Sequence, residues 1–131
     1  MELRRLFEQG VAAHRAGRLD QAEKLYRQVL RADAASFPAL HMLGFLKAQQ
    51  GRYDDAIALL SKAVRKNPAD AAALAHYAHA LMAARRSNEA LAAYDRLLEM
   101  QPANFEAHYN RASFFRKRRG MRRRFLHSIR H

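Results

Sequence analysis

The chain has 131 residues, half of them apolar, with no cysteine and a formal net charge of +12. That length and apolar content suit one domain with a continuous core, and the lack of thiols excludes disulfides and thiolate metal sites. Nine of the 24 Lys and Arg lie from Arg111 onward with no acid among them, so the earlier chain is nearly balanced and the charge does not mark the whole as a nucleic-acid binder.

The N-terminal Met-Glu-Leu-Arg-Arg-Leu-Phe-Glu lacks the apolar run of a secretory signal. Apolar residues then recur at helical spacing up to Gly17, where a left-handed backbone is cheap and a first helix should end. A second helix, expected to bury Ala22, Tyr26, Val29 and Leu30, follows at once as an antiparallel neighbour. After 34 residues the pattern returns: Leu40, Leu43, Gly44 and Leu46, then Gly51, then Ala56, Leu60, Ala63 and Val64, closed by Pro68. A third copy runs through Leu74, Tyr77, Ala78 and Leu81, then Ala90, Tyr94, Leu97 and Leu98, to Pro102. Its stretch from Ala71 to Ala84 is the most apolar of the chain, yet it is short for a membrane span and contains His76 and His79, so a cytoplasmic protein is expected. A seventh helix starts near Phe105.

The punctuation has physical content. Arg85 stands where the first two copies have Gly17 and Gly51, and a left-handed backbone there costs roughly 1 to 2 kcal/mol. Ser36, Asp70 and Asn104 are placed to cap the helices that follow them. Gly10, Gly44, Ala78 and Ala112, with Ala22, Ala56 and Ala90, should let the two backbones of each hairpin approach closely.

On these residues the chain resembles the tetratricopeptide repeat family, best in Leu40, Gly44, Gly51, Tyr53, Ala56, Leu60, Ala63 and Pro68. The resemblance implies an all-α, right-handed superhelical solenoid of antiparallel helix pairs, with units at 3–36, 37–70 and 71–104, a truncated fourth at 105–118 and a basic tail at 119–131. The segments His14-Arg15-Ala16-Gly17-Arg18-Leu19 and Leu25 to Leu30 look most like N-terminal repeats of bacterial O-GlcNAc transferase-like proteins, although no glycosyltransferase domain is present.

The family also implies where a partner would lie. Its first helices line a concave groove, which here carries over to Phe7, Val11, His14, Arg15, His41, Phe45, Gln49, His79, Met82, Tyr109, Ser113 and Arg116. Such a wall suits a peptide or helical segment of another protein with apolar anchors and acidic flanks. Plain packing between helices is the competing account of Phe7, Phe45 and Tyr109. Family members that grip a C-terminal carboxylate use Lys and Asn at early positions that Phe7 and Val11 occupy here, so that clamp is not expected. The asparagine ladder of the GlcNAc transferases would fall on Glu8, Met42, His76 and Asn110, of which only the last fits.

His76 and His79, three apart on one helix with His41 on its neighbour, have the spacing of two metal ligands, but no carboxylate joins them and ordinary packed or exposed histidines are the favoured reading. Asp54 and Asp55 read as acids at a helix start. With no phosphate-cradling loop, zinc-protease motif or nucleophile elbow, neither an enzyme nor a cofactor site is expected.

In the fourth unit Arg124 falls on the alanine position, where a buried guanidinium without a partner would cost several kcal/mol, so no eighth helix should pack like its predecessors. Three accounts of the basic end stay open: an arm for nucleic acid or anionic membrane, with Met121, Phe125 and Ile129 on one side; a solvated cap that leaves an end free for self-association; and a reading-frame change. Under suitable codons a shift at Gly120 restores Asp-Glu-Glu-Ala-Leu with alanine in register. The chain is then the repeat part of a larger glycosyltransferase-like protein.

Overall fold

The computed structural model describes residues 2–130, with side-chain surroundings described for residues 2–116 and for Gly120. It contains seven helices: α1 Glu2–Arg15, α2 Leu19–Ala32, α3 Phe37–Gln49, α4 Tyr53–Lys66, α5 Ala71–Ala83, α6 Ser87–Met100 and α7 Phe105–Arg130. They form an all-α solenoid of antiparallel pairs, each second helix packing on its own first helix and on the first helix of the next pair.

The three hairpin turns are built alike. Gly17, Gly51 and Arg85 have φ of 79°, 76° and 63°. In each turn the following amide reaches back to the helix: Arg18 N donates to Ala13 O at 2.9 Å, Arg52 N to Lys47 O at 2.9 Å and Arg86 N to Leu81 O at 2.9 Å. These bonds satisfy carbonyls that a helix end would otherwise leave open. Arg85 accepts the left-handed strain because its turn makes the same bonds as the two glycine turns. On the opposite side, Ser36 Oγ accepts from Ala39 N at 3.4 Å, Asp70 Oδ1 from Ala73 N at 2.9 Å and Asn104 Oδ1 from Ala107 N at 2.9 Å. These caps start α3, α5 and α7.

Small residues set the spacing within each pair. Ala22, Ala56 and Ala90 are fully buried. A Cβ placed on Gly10 would fall 2.7 Å from Cε1 of Tyr26, and one on Gly44 would fall 2.6 Å from Cγ of Leu60. The large side chains of α2 and α4 therefore lie directly on the glycine backbones of α1 and α3, which no side chain at those places would permit. The same second-helix position is taken by Tyr94 in α6, 2% exposed.

Among the described residues one charged side chain enters this interior. Lys47 of α3 is 3% exposed, and its Nζ donates to Glu23 Oε1 of α2 at 2.8 Å, while Arg27 Nε donates to Glu23 Oε2 at 2.9 Å. The Lys47 hydrogen bond is the main cause that holds the Glu23 carboxyl below its usual range, against the desolvation that opposes it.

The last helix departs from the expected division at residue 118. Its backbone continues helical through Gly120 to Arg130. With arginine in place of the small residue at the hairpin's closest approach, a returning helix has nothing to pack into, and continuing the existing ladder costs no new nucleation. The packing expected of Arg124 and the shared side of Met121, Phe125 and Ile129 lie outside the described side chains. Among the described residues no helix is long and apolar enough to cross a membrane.

Candidate binding groove

The first helices touch one another in succession, α1 to α3 and α3 to α5, whereas the second helices make no comparable contacts among themselves in the described residues. First helices therefore line the inner side of the curve. Their facing side chains form one row. Phe7 packs on Tyr26 with ring centroids 5.9 Å apart, His14 lies 5.9 Å from Tyr26 and 5.7 Å from Phe45, and Phe45 stacks on His76 at 4.4 Å and 16°. The row ends with His41, 5.0 Å from His76, and Phe37, 5.7 Å from His41.

Hydrogen bonds tie the row across the repeats. His14 Nε2 meets Gln49 Oε1, an acceptor, so this nitrogen carries the proton and Nδ1 accepts from the Tyr26 hydroxyl at 3.0 Å. Three helices are thereby joined through one imidazole. Burial pushes the Tyr26 hydroxyl up to about 12, so it stays a donor even at alkaline pH, where an exposed tyrosine ionises. His41 Nε2 and His76 Nδ1 are 2.8 Å apart, one donating to the other. Burial depresses both rings from the ordinary imidazole value, and at His76 the charges of His41 and His79 add to that. The neutral form of each ring is thereby favoured, and a neutral ring in either place can accept from the other.

The sequence-derived residues fall into two clusters. Phe7, Val11, His14, His41, Phe45 and Met82 are half-buried, with Arg15, Gln49 and His79 exposed around them. Tyr109, Ser113 and Arg116 gather separately on α7: Arg116 lies 5.6 Å over the Tyr109 ring and its Nη2 donates to Ser113 Oγ at 3.3 Å, with Tyr109 57% exposed. The two accounts of Phe7 and Phe45 merge, since each ring packs on one side and stays partly open on the other.

Sequence reasoning weighed His76 as a metal ligand, favoured a packed or exposed histidine, and left it out of the groove, whereas it is the link between Phe45 and His41. With His76 Nδ1 and His41 Nε2 engaged on each other, the trio is not arranged around an ion, and no group of three or more His, Cys, Asp or Glu is arranged to hold a metal among the described residues. Phe37 and Tyr94 were also missed as site residues. A usable signal existed: His14 and Gln49, and again His41 and His76, stand 35 residues apart, one more than the repeat. In this stacking that offset brings first-helix positions of adjacent units face to face.

Beside the row, between α5, α6 and the start of α7, is a cleft of about 290 Å³ walled by Phe45, His76, His79, Tyr94, Glu106 and Asn110, among others.

Tetratricopeptide repeat models match residues 4–37 and residues 47–113. No curated protein matches the chain in sequence. Among solved structures, the first tetratricopeptide domain of Spaghetti (RPAP3), bound to the HSP90 peptide SRMEEVD, superposes with a TM-score of 0.83 at 23% identity, covering 88% of this chain and 91% of that one. A crystal structure of MamA gives 0.83 at 23% identity over 88% of this chain and 63% of that one. The O-GlcNAc transferase of Thermobaculum terrenum gives 0.76 at 26% identity over 86% of this chain but only 22% of the enzyme. With one repeat model spanning just over half of its length, the chain belongs to the tetratricopeptide repeat family.

Proposed function

We propose that the protein is a non-catalytic scaffold whose three units, 3–36, 37–70 and 71–104, hold a peptide or helical segment of another protein against the first-helix side. The observation that carries this reading is the continuous row from Phe7 to Phe37, half-buried rings fixed by cross-repeat hydrogen bonds and open along one side. Prearranged rings of this kind bind with little loss of side-chain freedom. The peptide held by the related Spaghetti domain supports a peptide as the class of ligand. Phe7 and Val11 stand where carboxylate-gripping members carry Lys and Asn, so ring contacts along the segment, and not its C-terminus, supply the affinity here.

The test is retention of a random heptapeptide library by the immobilised full chain. Changing His41, Phe45 and His79 to Ala should cut retention at least tenfold, about 1.4 kcal/mol, while circular dichroism stays helical. Retention unchanged in that variant would overturn the reading.

The likeness to the bacterial transferase supports a second reading, in which this scaffold is the repeat portion of a larger glycosyltransferase-like protein. An open frame continuing downstream into a transferase domain would establish it, and a stop in every frame would end it.

A further inference from the structure

The hydroxyl of Tyr94 is buried and has no hydrogen-bond partner. Its counterpart Tyr26 is satisfied by His14. The place of His14 in the third unit is taken by Met82, which offers only a weak thioether acceptor, so Tyr94 lacks the imidazole partner that Tyr26 has. Asn110 of α7 comes near enough to the hydroxyl to oppose the rise that burial causes, but its geometry falls short of a well-formed hydrogen bond. A buried polar atom left open in this way is costly, and the space beside it is more than a single ordered water fills. At about 290 Å³ the cleft has room for several waters or for one long side chain, and it lies at the lower limit of the pockets that take small-molecule ligands.

Its chemistry selects among side chains. Both ends of the Asn104 amide are engaged, one by Ala107 N and the other by Gln101, and His76 Nδ1 is engaged by His41. What remains for a guest is the Tyr94 hydroxyl, the Asn110 amide, the Glu106 carboxylate, His76 Nε2 and His79. Glu106 is the only carboxylate in the lining, and no Lys or Arg lines the cleft among the described residues. An acidic guest would meet Glu106 directly, and an apolar guest would leave Tyr94 unsatisfied. Ala75, Leu97, Ala107 and Phe45 supply an apolar wall for a long aliphatic stem.

We propose that this cleft receives one cationic side chain, lysine or arginine, of the bound segment, its stem against the apolar wall and its N–H groups on Glu106, Asn110 and Tyr94. The proposal rests on the groove reading above and adds to it a sequence requirement at one position of the ligand. It also gives Tyr94 a reason to be a tyrosine where phenylalanine would pack without an open hydroxyl.

The experiment is a positional-scanning heptapeptide library on the immobilised full chain, read by sequencing the retained pool. Wild type should enrich Lys or Arg about tenfold over Asp and Glu at one position, Glu106→Gln should abolish that enrichment, and Tyr94→Phe should reduce it severalfold. Thermal melts give a second readout: Tyr94→Phe should melt no lower than wild type, whereas Tyr26→Phe, which breaks the His14 bond, should melt lower. A pool retained without basic enrichment, or enrichment that survives Glu106→Gln, overturns the cationic guest and leaves the groove reading standing. No retention of any heptapeptide overturns both.

Discussion

Gly44→Ala should destabilise the fold by about 2 kcal/mol, although alanine is the better helix former by roughly 1 kcal/mol at an unconstrained position. The added Cβ would lie 2.6 Å from Leu60 Cγ, 2.9 Å from Leu60 Cδ2 and 3.4 Å from Leu59 Cβ. Leu60 is fully buried and cannot swing aside, so the α3–α4 pair must separate. This pair is the middle one of three, and its spacing sets the seating of both neighbours, which magnifies a local wedge. Leu60→Ala alone should cost about 3 kcal/mol through the cavity it leaves. The double variant should cost well under the sum, because the methyl group added at Gly44 enters the space that the Leu60 side chain vacates. Urea titrations of the four proteins give the coupling directly. Additive costs would mean that residues 44 and 60 do not meet.

The second large effect concerns the Lys47–Glu23 pair, and its two halves should behave oppositely. Glu23→Gln should cost about 3 kcal/mol, because it leaves Lys47, a residue 3% exposed, without its counter-charge. The 24% exposure of the Glu23 side chain keeps this at the lower end of the range for broken buried pairs. Lys47→Met, which removes the buried charge and keeps the stem's volume, should be neutral or stabilising. The pH dependence has a fixed sign. Glu23 is held below its ordinary value of 4.5 in the folded chain, so the pair's contribution is present above pH 4.5 and is lost as pH falls through the lower folded value. The melting-temperature gap between wild type and Glu23→Gln should therefore narrow below pH 4.5. A gap constant from pH 7 to pH 3, or a Glu23→Gln variant as stable as wild type, would show that Lys47 is not held by this carboxylate.

The helical hairpins were legible because their determinants are local and repeated. Gly10 and Gly44 recur where a large side chain of the second helix must lie on the first helix's backbone, and Gly17, Gly51 and Arg85 recur where the chain must turn left-handed. Ser36, Asp70 and Asn104 recur where helix N-termini need an acceptor. The groove was legible only in part, since the family resemblance supplied positions but not the bonds among them. What Phe45 touches is decided by His76 in the next unit, and whether a buried tyrosine is satisfied is decided by the residue twelve places earlier, His14 before Tyr26 and Met82 before Tyr94. Such facts depend on the stagger between units, which no single repeat encodes. The continuation of α7 to Arg130 was hidden for a different reason: the sequence shows that an eighth helix lacks its small residue, but not what the chain does instead.

Backbone amide shifts of the full chain, recorded as the most strongly retained heptapeptide is added, report directly where another polypeptide lies on it. A guest held along the first helices should give saturable changes concentrated on α1, α3, α5 and the first turns of α7, centred on Phe45 and His76 and reaching α6 only at Tyr94 and Leu97 in the cleft. Changes concentrated on α2, α4 and α6, or scattered over both sides alike, would remove the groove as the binding surface.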